Sequence, residues 1–222
     1  MTLEVKAACE GAIAAGATDI VVKDAHASGT NIDITQLPSC VRTVRGSAGS
    51  PWSMVLGIDE SFDAAMFIGY HCAAGRCGNP LSHTETRATT SVRLNGEICS
   101  EFMLYSRAAA LVGVPSVFLS GDEMLIEDSR ELHPMLKTVA VKSGFGGSTC
   151  CIHPSLACRL IREGAESALR QDLSRALCTL PDSFTCEVSY KEGKDAVAMS
   201  YFPGFELVSD STICMHTGNY WD

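Results

Sequence analysis

The sequence predicts an α/β fold: a mostly parallel sheet flanked by helices, with a small β-rich C-terminal addition. Three observations predict it. Over the first two-thirds of the chain, short β-branched or aromatic runs alternate with helical segments, the pattern of strands laid parallel by helical crossovers. From Phe184 onward the character changes to short runs of Thr, Val, Tyr and Phe, broken at Lys191-Glu192-Gly193-Lys194 and at Pro203-Gly204. Histidines also follow two of the apolar runs. His26 lies just past Asp19–Asp24, His71 just past Ala64–Tyr70, and His83 closes the Gly-rich loop that starts at His71. Chemistry in open α/β sheets gathers beyond the carboxyl ends of the strands, so two strands would deliver histidines to one edge. The expected division is a core over residues 1–180 and an antiparallel extension over 181–222, packed on that core.

The elements follow in order. Residues 3–15 are rich in Ala and read as a helix, with Gly16 as its C′ residue. Residues 18–24 form a strand, 25–38 a polar loop ending at Pro38, and 40–45 a short strand. The segment 50–54 starts a helix or an ordered loop. The next strand is 63–70, and Gly75, Gly78 and Pro80 mark 71–83 as a loop. Residues 84–94 show partial alternation and run into Asn95-Gly96, a strong hairpin signal. Residues 100–112 return to a helical pattern with Glu101 in the first turn. Pro115–Ser120 is a strand, Gly121-Asp122-Glu123 opens a helix, and 136–142 is another strand. The segment 154–177 reads as one long helix with Pro154 near its start. Two or three antiparallel strands make the tail.

Composition narrows the function. The 222 residues are 46% apolar and 19% charged, as in an ordinary globular protein. The formal charge is −9 with no cluster of Lys or Arg, which argues against a nucleic-acid surface. No run is long and apolar enough to span a bilayer, and Met1–Gly11 lacks a signal-peptide core, so a cytoplasmic protein is expected. The eleven cysteines are odd in number and irregular in spacing, and they read as reduced thiols serving as small hydrophobes. Cys72 and Cys77 flank a Gly-rich turn, but no second pair stands at zinc-finger spacing.

His26, His71 and Glu101 offer two imidazoles and a carboxylate from three elements, the usual donor set of catalytic zinc. Such a set could polarise a carbonyl and activate water. His83 would be free to act as acid, base or oxyanion partner. Glu101 also suits the plainer role of a first-turn acid facing the helix dipole. Cys72 beside His71 is an available nucleophile pair. Gly144-Phe145-Gly146-Gly147-Ser148 could cradle an anion or simply turn the chain. His133 and His153 precede prolines and read as turn residues, and His216 has no evident partner.

Several blocks resemble, in order, the family of zinc-dependent D-aminopeptidases of the dipeptide-transport operon. They are Val22-Lys23-Asp24-Ala25-His26, Phe67–His71, Leu81-Ser82-His83, Ser100-Glu101 after the Asn-Gly turn, Val114-Pro115 with Ser120-Gly121-Asp122, Ala140-Val141-Lys142 and His153-Pro154. Single blocks are unspecific; their shared order is the signal, and it spans about residues 1–177. The resemblance implies a hydrolase of short peptides with N-terminal D-residues. It implies a two-zinc centre, His26, His71 and Glu101 as metal ligands, and His83 as the catalytic histidine that is not a ligand. It also implies a homo-oligomer, with a decameric ring in the type member. Family members begin with a strand carrying Asp-x-Glu-Gly, whose acids bind zinc. This chain begins in the helix that follows, so fewer than two zincs are expected. The alternative is a non-catalytic member that keeps the fold and the oligomer contacts without a complete metal site.

Overall fold

A computed structural model describes residues 1–130 and 133–221. Helix α1 (Thr2–Ala15) opens the chain and ends where Gly16 takes φ 102°, a left-handed conformation that costs glycine little. β1 (Ile20–Lys23) and β2 (Val41–Val44) pair in parallel as a two-stranded sheet of their own. The main sheet follows the order β3-β6-β7-β8. β3 (Ala65–Tyr70), β6 (Ser116–Asp122) and β7 (Lys137–Phe145) run parallel, and β8 (Ser148–Cys151) returns antiparallel. The parallel strands thus fall into two sheets. Helix α1 spans both, since Val5 and Cys9 pack with Ile20 and Val22 of β1 and with Ile68 of β3.

The main sheet is covered on both faces, as a parallel sheet requires. On one face Phe67 and Leu119 meet α2 (Glu101–Leu111) and α3 (Glu123–Ser129) through Phe102, Tyr105 and Leu125. On the other, Met66 and Phe118 meet α1 and α4 (Pro154–Leu169) through Ala8, Ile161 and Ala165. Alternation along the strand sends successive side chains to opposite helical layers. α1 and α4 cross closely because Gly11 has no side chain: a Cβ there would lie 2.3 Å from the Arg162 carbonyl oxygen.

The third sheet is antiparallel, in the order β10-β11-β9-β4-β5. β4 (Thr89–Leu94) and β5 (Glu97–Ile98) form the Asn95-Gly96 hairpin. β9 (Phe184–Tyr190), β10 (Glu206–Ser209) and β11 (Thr212–Thr217) come from the tail, and β9 pairs directly with β4. The tail therefore completes a sheet begun a hundred residues earlier. It also holds a helix not anticipated from the sequence, α5 (Gly193–Met199), placed where a charged break was read. Tyr220 donates its hydroxyl to the Leu104 carbonyl at 2.6 Å, and Trp221 stacks on Trp52 with ring centroids 4.3 Å apart.

Two further boundaries differ. The segment read as one helix to residue 177 stops at Leu169. Asp172 then caps a separate short turn, Leu173–Ala176, by accepting from the Ser174 N–H. The Gly144–Ser148 run is the turn of the β7–β8 hairpin. Gly144 is needed there because a Cβ would meet the Gly78 carbonyl at 2.2 Å. That approach ties β7 to the loop that follows β3.

Candidate metal centre

β3 ends at Tyr70, and the chain turns straight into His71. Asp122 fixes that turn. It is fully buried, accepts the Cys72 N–H at 2.9 Å, and with its other oxygen caps α3 through the Leu125 N–H at 2.9 Å. One carboxylate thus joins the end of β6, the start of α3 and the residue after His71. Further along the loop, Thr84 accepts the Ala74 N–H and donates to the Cys99 carbonyl, closing residues 74–84 onto the start of α2. Ser100 caps α2 by accepting the Met103 N–H, which sets Glu101 in the first turn, where it is buried.

These supports bring three side chains together. Among the described residues, His71, His83 and Glu101 form a metal-competent group whose ligand atoms all lie within 4.8 Å of one another. His71 Nε2 is 4.0 Å from one Glu101 oxygen, and His83 Nε2 is 3.6 Å from the other. The two imidazoles lie 4.5 Å apart, centroid to centroid. These gaps are too long for hydrogen bonds. They are close to the separation of donors that share one ion about 2 Å from each.

Each histidine is also oriented for ligation. His71 Nδ1 lies 3.0 Å from the Cys72 carbonyl, and His83 Nδ1 lies 2.8 Å from the Leu81 carbonyl. A carbonyl can only accept, so both Nδ1 atoms carry a proton and both Nε2 atoms face Glu101. A carbonyl behind a ligating imidazole is the usual outer support of a metal site. The Glu85 N–H donates to Glu101 at 3.0 Å, from a backbone with φ 62°, a left-handed conformation uncommon outside glycine. Glu85 keeps contact with solvent, yet crowding by the protein and the neighbouring Glu101 charge raise its carboxyl pKa; a Tyr105 hydrogen bond works in the opposite sense. Burial, reinforced by Glu101, also pushes the Tyr70 phenol up, so it stays neutral beside the trio.

His26 stands apart. It follows β1 in a loop organised by Asp24, whose buried carboxylate accepts the Asn31 and Ile32 N–H groups, but its side chain is exposed and outside the trio. Cys72 is fully buried beside Ser82, and burial pushes its thiol up, the opposite of what a thiolate nucleophile needs. All eleven cysteines are free. His153 caps α4, and His216 has a partner after all, Thr185 Oγ1 at 2.9 Å. His133 does open a turn, its carbonyl accepting the Leu136 N–H at 3.0 Å, but its side chain is buried and bonded to Ser106. No helix of the described residues is long and apolar enough to cross a membrane.

A curated D-aminopeptidase from Bacillus subtilis (strain 168) is 28% identical over 213 residues, covering 96% of this chain and 77% of that protein. The solved structure of DppA from Bacillus subtilis, described as a Zn-dependent D-aminopeptidase and a self-compartmentalizing protease, superposes with a TM-score of 0.90 at 25% identity. The match covers 99% of this chain and 80% of that one. The family described as D-aminopeptidase matches residues 1–222 in full. This chain, a hydrolase by descent, belongs to the D-aminopeptidase family of peptidases.

Proposed function

We propose that this chain is a zinc-dependent D-aminopeptidase that removes the N-terminal D-residue from short peptides. The observation that carries the reading is the convergence of His71, His83 and Glu101, which sets one imidazole and a buried carboxylate to hold a metal and a second imidazole beside them. That donor chemistry fits zinc. Zinc bound there would polarise the scissile carbonyl and lower the pKa of water.

The chain's own residues would do the rest. His71 and Glu101 hold the metal, the first oriented by the Cys72 carbonyl and the second by the Glu85 N–H. His83 keeps its Nε2 lone pair free because Nδ1–H is committed to Leu81. It can take a proton from the attacking water and pass it to the departing amine. His26 is assigned as a further ligand on the resemblance alone, since its side chain lies outside the trio. A second reading, favoured by the 3.6 Å separation of His83 Nε2 from Glu101, makes His83 the third ligand.

Metal analysis of single variants tests this. His71→Ala and Glu101→Ala should lose zinc and activity together. His83→Ala should keep zinc and lose turnover if it moves protons, and should shed zinc if it is a ligand. Retention of zinc by all three variants would contradict the metal centre. The working form is proposed to be a cytoplasmic homo-oligomer, a decameric ring by resemblance. Phe145 and Tyr201, 88% and 85% exposed, are apolar surface that such contacts would cover.

A further inference from the structure

A cavity of about 640 Å³ lies away from the trio, between α2, the β4–β5 turn, residues 133–136 and the segment 175–181. Two buried polar groups line it. Arg107 is 6% exposed and His133 is 5% exposed. None of His71, His83 or Glu101 takes part in its wall.

Arg107 is poorly compensated for a buried charge. A guanidinium carries five N–H donors. Here it reaches the Met103 carbonyl at 3.1 Å, Glu97 at a long 3.4 Å, and the Cys99 sulfur at 3.7 Å. Glu97 keeps 57% of its side chain in solvent, so it neutralises the charge weakly. The other groups within reach of that charge, Cys99, Cys178, Tyr220 and His133, are neutral, each held so chiefly by burial. A buried cation whose one anion stays largely in solvent is costly. Arg175 adds a second positive charge to the wall.

His133 supplies the second, independent observation. Its Nε2 lies 3.1 Å from Ser106 Oγ, and the Ser106 hydroxyl donates to the Met103 carbonyl. Ser106 therefore accepts from Nε2–H, and Nδ1 is a bare acceptor. That Nδ1 is buried and has no hydrogen-bond partner. A buried acceptor left without a donor is costly.

We infer that this cavity is a binding site for a free α-amino acid with an apolar side chain. Its carboxylate would lie on Arg107, its amino N–H would donate to His133 Nδ1, and its side chain would rest on Leu136, Leu180 and Pro181. An anion alone would leave His133 unsatisfied. A donor alone would leave Arg107 with only the solvent-exposed Glu97 as its anion. The site is separate from the metal centre, and the inference does not depend on the peptidase reading.

Calorimetric titration with L-leucine tests it on the whole protein; the L-enantiomer keeps the probe distinct from a D-residue product. One site per chain is expected. Binding should be unchanged in Glu101→Ala and weakened at least tenfold in Arg107→Met and His133→Phe. Should Arg107→Met fail to fold, Leu136→Trp narrows the cavity without touching its polar groups and should weaken binding as much. Acetate, which has no N–H donor, and inorganic phosphate, which has no apolar part, should each bind at least tenfold more weakly than L-leucine. No heat with L-leucine at millimolar concentration would overturn the inference. So would tighter binding of phosphate, or binding lost in Glu101→Ala and kept in Leu136→Trp.

Discussion

Asp122→Ala should destabilise the protein and loosen the metal centre at once. The carboxylate is fully buried and accepts two N–H groups, each at 2.9 Å. Loss of the cap on α3 costs about 1 kcal/mol. The Cys72 N–H, left without a partner in a buried turn, costs a further ~1–3 kcal/mol. The sum is about 2–4 kcal/mol, or a fall in Tm of roughly 4–16 °C for a chain of this size. Asp122→Asn keeps one acceptor oxygen and should lose about half as much. Urea denaturation at fixed zinc and at zero zinc is the assay. The zinc-loaded form should lose more than the zinc-free form, because the His71 ring is braced by the carbonyl of the residue that Asp122 anchors. A loss below about 1 kcal/mol in both forms would refute the reasoning, since even the cap alone is worth that much.

Other outcomes follow from the same structure. Gly11→Ala gains about 1 kcal/mol of helix propensity, yet its Cβ would meet the Arg162 carbonyl at 2.3 Å, so α1 must shift off α4; a net loss in Tm is expected, and a net gain would show that the crossing is not tight. Burial, aided by the Arg107 charge, lowers the His133 pKa to about 4. The unfolded chain binds a proton there near pH 6.5, so this group's stability contribution is complete above that pH and is lost as pH falls toward 4. The loss amounts to as much as about 3 kcal/mol, and chemical denaturation of the wild type against His133→Phe at pH 7 and pH 4 measures it. Glu101→Gln keeps the shape of the side chain but removes the charge, and should lower zinc affinity by at least tenfold, read by competition with a chelator.

Much of the layered core was legible because apolar residues recur at two distinct periods. The runs at Ile20, Ala65 and Ser116 became strands, and Gly16, Asn95-Gly96, Ser100 and Asp122 ended or began elements as their chemistry requires. β8 was not legible: Ser148–Cys151 is exposed along its whole length and shows no alternation. α5 was hidden by its brevity and by Gly193 at its start. The pairing of β9 with β4 was invisible, because long-range register leaves no local trace. At the site, His71 and His83 were named from a strand end and a loop, and Glu101 from the first turn of a helix. Their convergence depends on Asp122 and Thr84, whose buried bonds join segments far apart in sequence. His133 was read as a turn residue and is one, but its burial had no local signal, since it comes from α2 packing against it.

The most direct test of the central claim is hydrolysis of a D-alanyl anilide and its L-enantiomer by purified protein, before and after chelation, with zinc measured in the same samples. Turnover of the D-substrate is expected, with little of the L-substrate, loss of activity with loss of zinc, recovery on zinc addition, and no recovery in Glu101→Ala. Turnover that survives complete removal of metal, or that persists in Glu101→Ala, would contradict it.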